Sequence, residues 1–401
     1  MQDPSRARVT GPLLPHAAGF IEELARLGYT TQSACGQVFL MAHVSRWLAG
    51  EGLDADALTP QAADRFLAAR RAAGYVLYLS PKALVPLLGF LRRVGAAPEP
   101  PPPVQAPEDA LLARYRRYLV TERGLAAETA ADYASKVRPF LAARDDHGLA
   151  CLTAAEVTAF IVATCPSMRK GTAKLTVTAL RSLLGWLHVA GEIPAPLAWA
   201  VPAVASWRLA ALPAPLEPAQ IQAMADGCDT GTAAGLRDLA MIILLARLGL
   251  RAGEVAGLML DDVDWRAGEI TVTGKGRRSE RLPLPADVGE AVAGWLRNGR
   301  PAPFEGARNV FLRVRAPHRA LTSTGVSQAV SAAGQRAGLD GVFAHRLRHS
   351  AATGMLRAGA PLPAVGQVLR HRRLLSTAIY AKTDLPALRA LARPWPAGGE
   401  A

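Results

Sequence analysis

Between residues 344 and 384 the chain reads AHRLRHSAATGMLRAGAPLPAVGQVLRHRRLLSTAIYAKTD, with three histidines, six arginines and a single tyrosine, Tyr380. These side chains together suit work on an anion. Arginine offers paired N–H donors that match phosphate oxygens, a geometry lysine cannot copy. Histidine can donate a hydrogen bond or move a proton near neutral pH, and a phenol can act as a covalent nucleophile. His345 and Arg348 lie three residues apart, so on a helix they share a face and can grip one ligand. The competing chemistry is a metal site, because His345 and His349 have the i, i+4 spacing of metal ligands. The glutamate of an H-E-x-x-H pattern is missing, however, and Arg346 and Arg348 would repel a cation, so no metal is expected.

Earlier residues contribute to the same chemistry. After the apolar stretch LARLGL comes Arg251, at the start of AGEVAGLMLDDVDW. Gly249 is suited to end one helix, and a new helix starts near Arg251, where a cation sits unfavourably against the positive helix terminus, a placement that makes sense if an anion binds there. Glu254, three residues on, is placed both for the helix dipole and to orient Arg251. The segment GEITVTGKGRRSERLPLP reads as a β-hairpin: Ile270 and Val272 alternate with Thr271 and Thr273, and Gly274 and Gly276 mark the turn around Lys275.

The elements that must position these groups follow from apolar periodicity. Helices are expected over about 217–226 and 235–248, then from Arg251, then from about 345 to near Gly359, where Leu347, Ala351 and Leu356 pack away from the His345–Arg348 face. A further helix is expected from about Pro361 to Leu369. A short one starting at Ser376 would carry Tyr380, leaving His371 in the connection. The tail LPALRALARPWP has an apolar helical pattern ending at Trp395, suited to packing on its own domain or on a neighbouring copy.

At 401 residues the chain exceeds one hydrophobic core. Two proline-rich breaks divide it, AAPEPPPPVQAP at 96–107 and a second at 205–215. The divisions are 1–95, 108–204 and 216–401. The first two resemble each other at an offset of roughly 95 residues. LLGFLRRVGAAPEP from Leu87 answers LLGWLHVAGEIPAP from Leu183, ALTPQAADRFLAA from Ala57 answers CLTAAEVTAFIVA from Cys151, and Gly28 answers Gly124. Each reads as a duplicated bundle of about four helices, with Thr59 and Thr153 as capping residues. Lys plus Arg number 46 against 33 Asp plus Glu, a net charge of +13, which favours a polyanionic partner. A membrane partner is not expected: the longest clean apolar run, Leu239 to Ala246, is too short to span a bilayer, and no signal-peptide core opens the chain. Cys35, Cys151, Cys165 and Cys228 show no C-x-x-C spacing, so neither disulfides nor zinc are expected.

Four blocks, LARLGLRAGEVAGLMLDDVDW, ITVTGKGRRSERLPL, HRLRHSAATGMLRAGAPLPAVGQVLRH and STAIYAKTD, resemble in content and order those of tyrosine recombinases of the phage-integrase type. The resemblance spans 216–390 and rests on six polar positions: Arg251, Lys275, His345, Arg348, His371 and Tyr380. Segment 108–204 resembles the core-binding domain that precedes the catalytic domain in these enzymes, and 1–95 resembles a second copy of it. The resemblance implies that Arg251, Arg348 and His371 stabilise a pentavalent phosphorane-like transition state, that His345 is a general base and that Lys275 protonates the leaving 5′ oxygen. Tyr380 would form a 3′-phosphotyrosine that conserves the bond energy for rejoining, so no cofactor is expected. Clustered positive charge would help ionise a phenol of pKa about 10.

Two departures stand out. Leu369-Arg370-His371 replaces the usual Leu-Gly-His, so a left-handed turn at Arg370 would carry strain, offset by a DNA contact. Gly354 and Met355 replace the usual Thr-His. Arg277 and Arg278 are expected to contact DNA, and Arg346, Arg370, Arg372 and Arg373 to be phosphate-backbone contacts or solvated charges, which sequence does not separate.

The expected fold is mainly α, with two helical SAM-like N-terminal modules followed by an α+β catalytic domain with a small antiparallel sheet. The expected function is site-specific recombination serving integration or excision of a mobile element. The expected partners are a double-stranded recombination site, a homotetramer in the synaptic complex, and an accessory recombinase or host DNA-bending factor. The expected location is cytoplasmic and nucleoid-associated. Type IB topoisomerase-like relaxation and a non-catalytic DNA-binding accessory role are the alternatives.

Overall fold

A computed structural model describes residues 8–100, 106–143, 148–205, 215–274 and 278–370. Lys275, Arg277, His371, Arg372, Arg373, Tyr380 and the C-terminal tail lie outside the described residues. The chain divides into two compact units, one built from 1–100 together with 211–401 and the other from 101–210.

The N-terminal module of the first unit contains α1 (Ala17–Arg26), α2 (Thr31–Gly50), α3 (Pro60–Ala72) and α4 (Pro81–Arg93). Their apolar faces enclose Phe20, Met41, Leu48, Leu67, Leu87 and Leu91, with the Phe20 and Phe90 rings 5.4 Å apart. Ser45 is fully buried yet satisfied: its hydroxyl accepts from the Leu13 amide at 3.0 Å and donates to the Thr10 carbonyl at 2.6 Å, tying the incoming chain to α2. Ala97, inside the proline-rich break, is itself buried in this core.

The second unit contains α5 (Pro107–Thr121), α6 (Ala127–Ala142), α7 (Ala154–Thr164) and α8 (Lys170–Val189). The two bundles share details that the sequence offset anticipates. Thr59 and Thr153 cap α3 and α7, accepting from the amides of Ala62 and Glu156. Gly28 and Gly124 follow α1 and α5 with positive φ, Gly95 and Gly191 follow α4 and α8 likewise, and Leu87 and Leu183 are both fully buried. In α8 and α5, Trp186 packs on Tyr115, whose buried hydroxyl donates to the Ala179 carbonyl at 3.3 Å. Burial pushes the Tyr115 phenol up to about 12.

The C-terminal part of the first unit starts with α9 (Pro218–Asp226) and centres on α10 (Ala233–Arg247), an almost wholly apolar helix. Around it pack α12 (Ala286–Asn298), α13 (Ser323–Arg336) and α14 (Ala344–Arg357). Trp295 of α12 is fully buried, stacks on Phe311 and donates its indole N–H to the Val310 carbonyl at 2.9 Å. Between α10 and α12 lie the short α11 (Ala252–Gly257) and a three-stranded antiparallel sheet in the order β1 (Val263–Asp264), β2 (Glu269–Thr273), β3 (Ser279–Pro283). The expected alternation holds, with Ile270 and Val272 buried and Ile270 paired with Leu282. The two-residue β1 is an addition to the expected hairpin. The last described helix, α15 (Leu362–Val368), packs against α14 through Val365 and Ala352. Among the described residues no helix is long and apolar enough to cross a membrane.

Candidate active site

Three arginines, from the turn before α11, from α14 and from the end of α15, meet around one carboxylate, that of Glu254. Gly249 ends α10 at φ +58, and a Cβ there would lie 2.5 Å from Leu369 Cδ2, so only glycine lets the α10–α11 turn approach the end of α15 this closely. The turn delivers Arg251 as the residue capping α11. Its own amide donates to Glu254 Oε2 at 2.8 Å, and its Nη1 donates to Oε1 at 2.6 Å. Glu254 thus offsets the helix terminus and orients the guanidinium, the two tasks its spacing suggests. The carboxylate is 4% exposed while the Arg251 side chain is 40% exposed, so Arg251 is anchored at one edge and open at the other.

Arg348 arrives from α14 and is 1% exposed. Its Nη1 donates to the Gly249 carbonyl at 2.5 Å, its Nη2 donates to the Leu369 carbonyl, and Nη1 lies 3.9 Å from Glu254 Oε2. The guanidinium therefore couples the turn before Arg251 to the turn before His371. The hairpin reaches the same place: a Cβ on Gly274, the neighbour of Lys275, would sit 3.6 Å from Glu254 Oε1, and the Gly274 amide closes the hairpin on the Arg278 carbonyl at 2.8 Å. Arg278 itself is exposed at the start of the return strand.

His345 lies one helical turn from Arg348, with its ring 4.3 Å from that of His349 in an edge-to-face contact. The residue keeps an open edge, yet burial of the ring, with the charges of Arg348 and Arg251, holds its pKa below the ordinary histidine value. A neutral imidazole at pH 7 can accept a proton. The two histidines are ring partners here, and no group of three or more metal-binding side chains occurs among the described residues.

The glutamate is held as an anion by its surroundings. Burial is the largest influence and pushes its pKa up, but the Arg251 amide, the charge of Arg370 and the Arg251 guanidinium together outweigh it and leave the carboxyl below its ordinary value.

Arg370 departs from the expected DNA contact. Its φ of +56 is the left-handed conformation anticipated where glycine is usual, at a cost of about 1–2 kcal/mol for a residue with a side chain. The side chain turns inward, 5% exposed, with Nη2 donating to Glu254 Oε2 at 2.8 Å and Nη1 to the Val368 carbonyl at 3.0 Å. Arg346 also has an internal partner, the Asp340 carbonyl at 3.2 Å. Sequence reading missed the carbonyls of Gly249 and Leu369 as the acceptors that fix Arg348, since backbone acceptors leave no residue-type signal.

Residues 215–385 match the family described as "Phage integrase family", and residues 112–191 match "Phage integrase, N-terminal SAM-like domain". Over 404 residues the chain is 41% identical to the "Putative integrase/recombinase y4rA" of Sinorhizobium fredii, covering 98% of this chain and 96% of that protein. The chain belongs to the phage integrase family. The chain is also 29% identical over 296 residues to the tyrosine recombinase XerC of Mycobacterium sp. (strain JLS), with 71% of this chain and 97% of that protein aligned. Its fold is similar to that of lambda integrase, solved as a dimer bound to a COC' core site (TM-score 0.55, 18% identity, 72% of this chain and 97% of that one). The same protein as a tetramer bound to a Holliday junction gives a TM-score of 0.54 at 16% identity over 80% and 91% of the two chains. As a member of the family, the chain is a site-specific recombinase, an enzyme that cleaves and rejoins DNA. Relaxation in the manner of a topoisomerase and a non-catalytic DNA-binding role are not favoured by these matches.

Proposed function

We propose that this integrase cuts one strand at a time at a specific duplex site by attack of Tyr380 on the scissile phosphate, for integration or excision of a mobile element. The tyrosine oxygen forms the new bond to phosphorus, the 5′ oxygen leaves, and a 3′-phosphotyrosine links protein to DNA. Lys275 supplies the proton to the leaving oxygen, and His345, held neutral, takes the proton of the nucleophile. Arg251 and Arg348, with His371, bind the non-bridging oxygens and stabilise the pentavalent transition state. Rejoining reverses the same steps with the 5′ hydroxyl of the partner strand, which conserves the phosphodiester without an external energy source.

The observation that carries this reading is the Glu254-centred cluster, in which Arg251 and Arg348 are brought together beside the hairpin that carries Lys275. The net charge of +13 supports binding dominated by phosphate contacts and steep in salt. Lambda integrase bound as a tetramer to a Holliday junction supports a synaptic homotetramer for this chain. The helical modules and the catalytic domain would grip the duplex, with an accessory recombinase or a host DNA-bending factor assisting assembly. Arg277, Arg278, Arg372 and Arg373 would hold flanking phosphates. Such work belongs in the cytoplasm, on nucleoid DNA.

The test uses nicked duplexes carrying the borders of the DNA element that encodes the chain, so that a cleaved strand diffuses away and traps the adduct. Wild type is expected to form a covalent adduct resistant to denaturation, and Tyr380→Phe none. An adduct that survives this substitution would sink the nucleophile assignment. Relaxation of any supercoiled plasmid without site preference would point instead to topoisomerase chemistry.

A further inference from the structure

We infer that Arg370 is a positioning residue of the active site, a third arginine that clamps Glu254 and through it sets the orientation of Arg251. The inference rests on the recombinase reading above and deepens it. Arg370 occupies the left-handed conformation that glycine would adopt freely, and its buried Nε has no hydrogen-bond partner among the described residues. Both features disfavour an arginine at this position. What offsets them is the bond from Nη2 to Glu254 Oε2, reaching across 116 residues of sequence with both side chains almost fully buried.

The geometry makes that bond consequential. Oε2 also receives the Arg251 amide, and Oε1 receives Arg251 Nη1, so Arg370 joins the Arg251 amide on Oε2 and adds a third donor to the carboxylate that holds the Arg251 guanidinium. With the carboxylate locked in its plane, the Arg251 fork has one orientation for a phosphate. The second bond of Arg370, to the Val368 carbonyl, holds the turn that presents the Leu369 carbonyl to Arg348 and leads into His371. One side chain therefore braces the attachment points of both phosphate-binding arginines. It also changes the charge: three guanidiniums against one carboxylate leave two net positive charges in the described cluster where glycine would leave one. A glycine in this turn, the usual residue of the resembling pattern, would relieve the backbone and leave Glu254 with one cation fewer.

The experiment compares full-length wild type, Arg370→Gly, Arg370→Lys and the Glu254→Gln background in single-turnover cleavage of the nicked border duplexes, with non-covalent DNA affinity measured at several salt concentrations. Arg370→Gly is expected to form adduct about 10- to 100-fold more slowly, the scale set by a small misplacement of catalytic groups. Its DNA affinity is expected within about twofold of wild type and its salt slope unchanged. Arg370→Lys, which keeps the charge and loses the fork, is expected to recover part of the rate. In the Glu254→Gln background the Arg370→Gly change is expected to have less than about threefold effect, because the two residues act as one unit. Cleavage by Arg370→Gly at the wild-type rate, effects that multiply fully in the double variant, or a loss confined to affinity with a shallower salt slope would each overturn the inference. Melting temperatures of both Arg370 variants check that the fold survives. If both variants unfold, the residue is part of the fold's frame and the inference fails. Absence of any adduct in wild type, or an adduct in Tyr380→Phe, marks failure of the recombinase reading itself and takes the inference with it.

Discussion

Replacing Glu254 by glutamine keeps the shape of the side chain and removes the charge on which the cluster converges. The carboxylate accepts from the Arg251 amide, Arg251 Nη1 and Arg370 Nη2, and it is 4% exposed against 5% for Arg370. Removing one partner of a pair buried this deeply costs about 3–5 kcal/mol, because the remaining guanidinium stays buried without a counter-charge. Arg251 contributes less, since its side chain is 40% exposed and screened by water, and an exposed pair adds under about 1 kcal/mol. Glutamine turns N–H donors towards an arginine but retains one oxygen as an acceptor, so the lower end, about 3 kcal/mol, is expected. For a domain of this size that is a fall of roughly 6–12 °C in melting temperature, read as the catalytic-domain transition of the full chain by near-ultraviolet circular dichroism. The pH dependence supplies a second check. The Glu254 carboxyl lies below its ordinary value of 4.5, so its stabilisation is complete above that pH and is lost as pH falls through the depressed folded value. The gap between wild type and variant should therefore be constant from pH 7 down to about 4.5 and close only below it. A gap under about 1 kcal/mol at pH 7, or one that widens on acidification, would refute the reasoning.

Gly249→Ala should destabilise the domain by about 1–3 kcal/mol, since a Cβ at φ +58 adds backbone strain and meets Leu369 Cδ2 at 2.5 Å. Urea unfolding measures the loss, and a variant within 0.5 kcal/mol of wild type (about the noise of such comparisons) would mean the turn adjusts freely. His345 titrates below the ordinary histidine value, through burial first and the charges of Arg348 and Arg251 second. The single-turnover cleavage rate should therefore fall on acidification only below about pH 6.5. Arg251→Gln should move that limb upward in pH as one depressing charge is removed, and an unmoved limb would assign it to another group.

The parts of the site that sequence made legible are those fixed by neighbours three or four residues apart. Glu254 follows Arg251 at one helical turn, and the structure gives that spacing its two hydrogen bonds. Thr59 and Thr153 cap their helices, and Ile270 and Val272 alternate inward on β2, for equally local reasons. Val263–Asp264 escaped notice because two residues carry no period, and they become a strand only by pairing with Glu269 and Ile270. Arg348 shows the limit more sharply. Its type and its distance from His345 are readable, but its acceptors are carbonyls 99 and 21 residues away, and a carbonyl is present at every position of the chain. Arg370 was harder still, because in a chain with 46 Lys and Arg a further cation reads as solvated surface or a phosphate contact. Charge alone could not separate it from Arg372 or Arg373. The informative signal was steric: a side chain standing where a left-handed turn favours glycine must be held by something, and a carboxylate 116 residues earlier in the chain holds it. Where a basic protein hides its functional cations among many others, backbone conformation is therefore the better guide to which of them point inward.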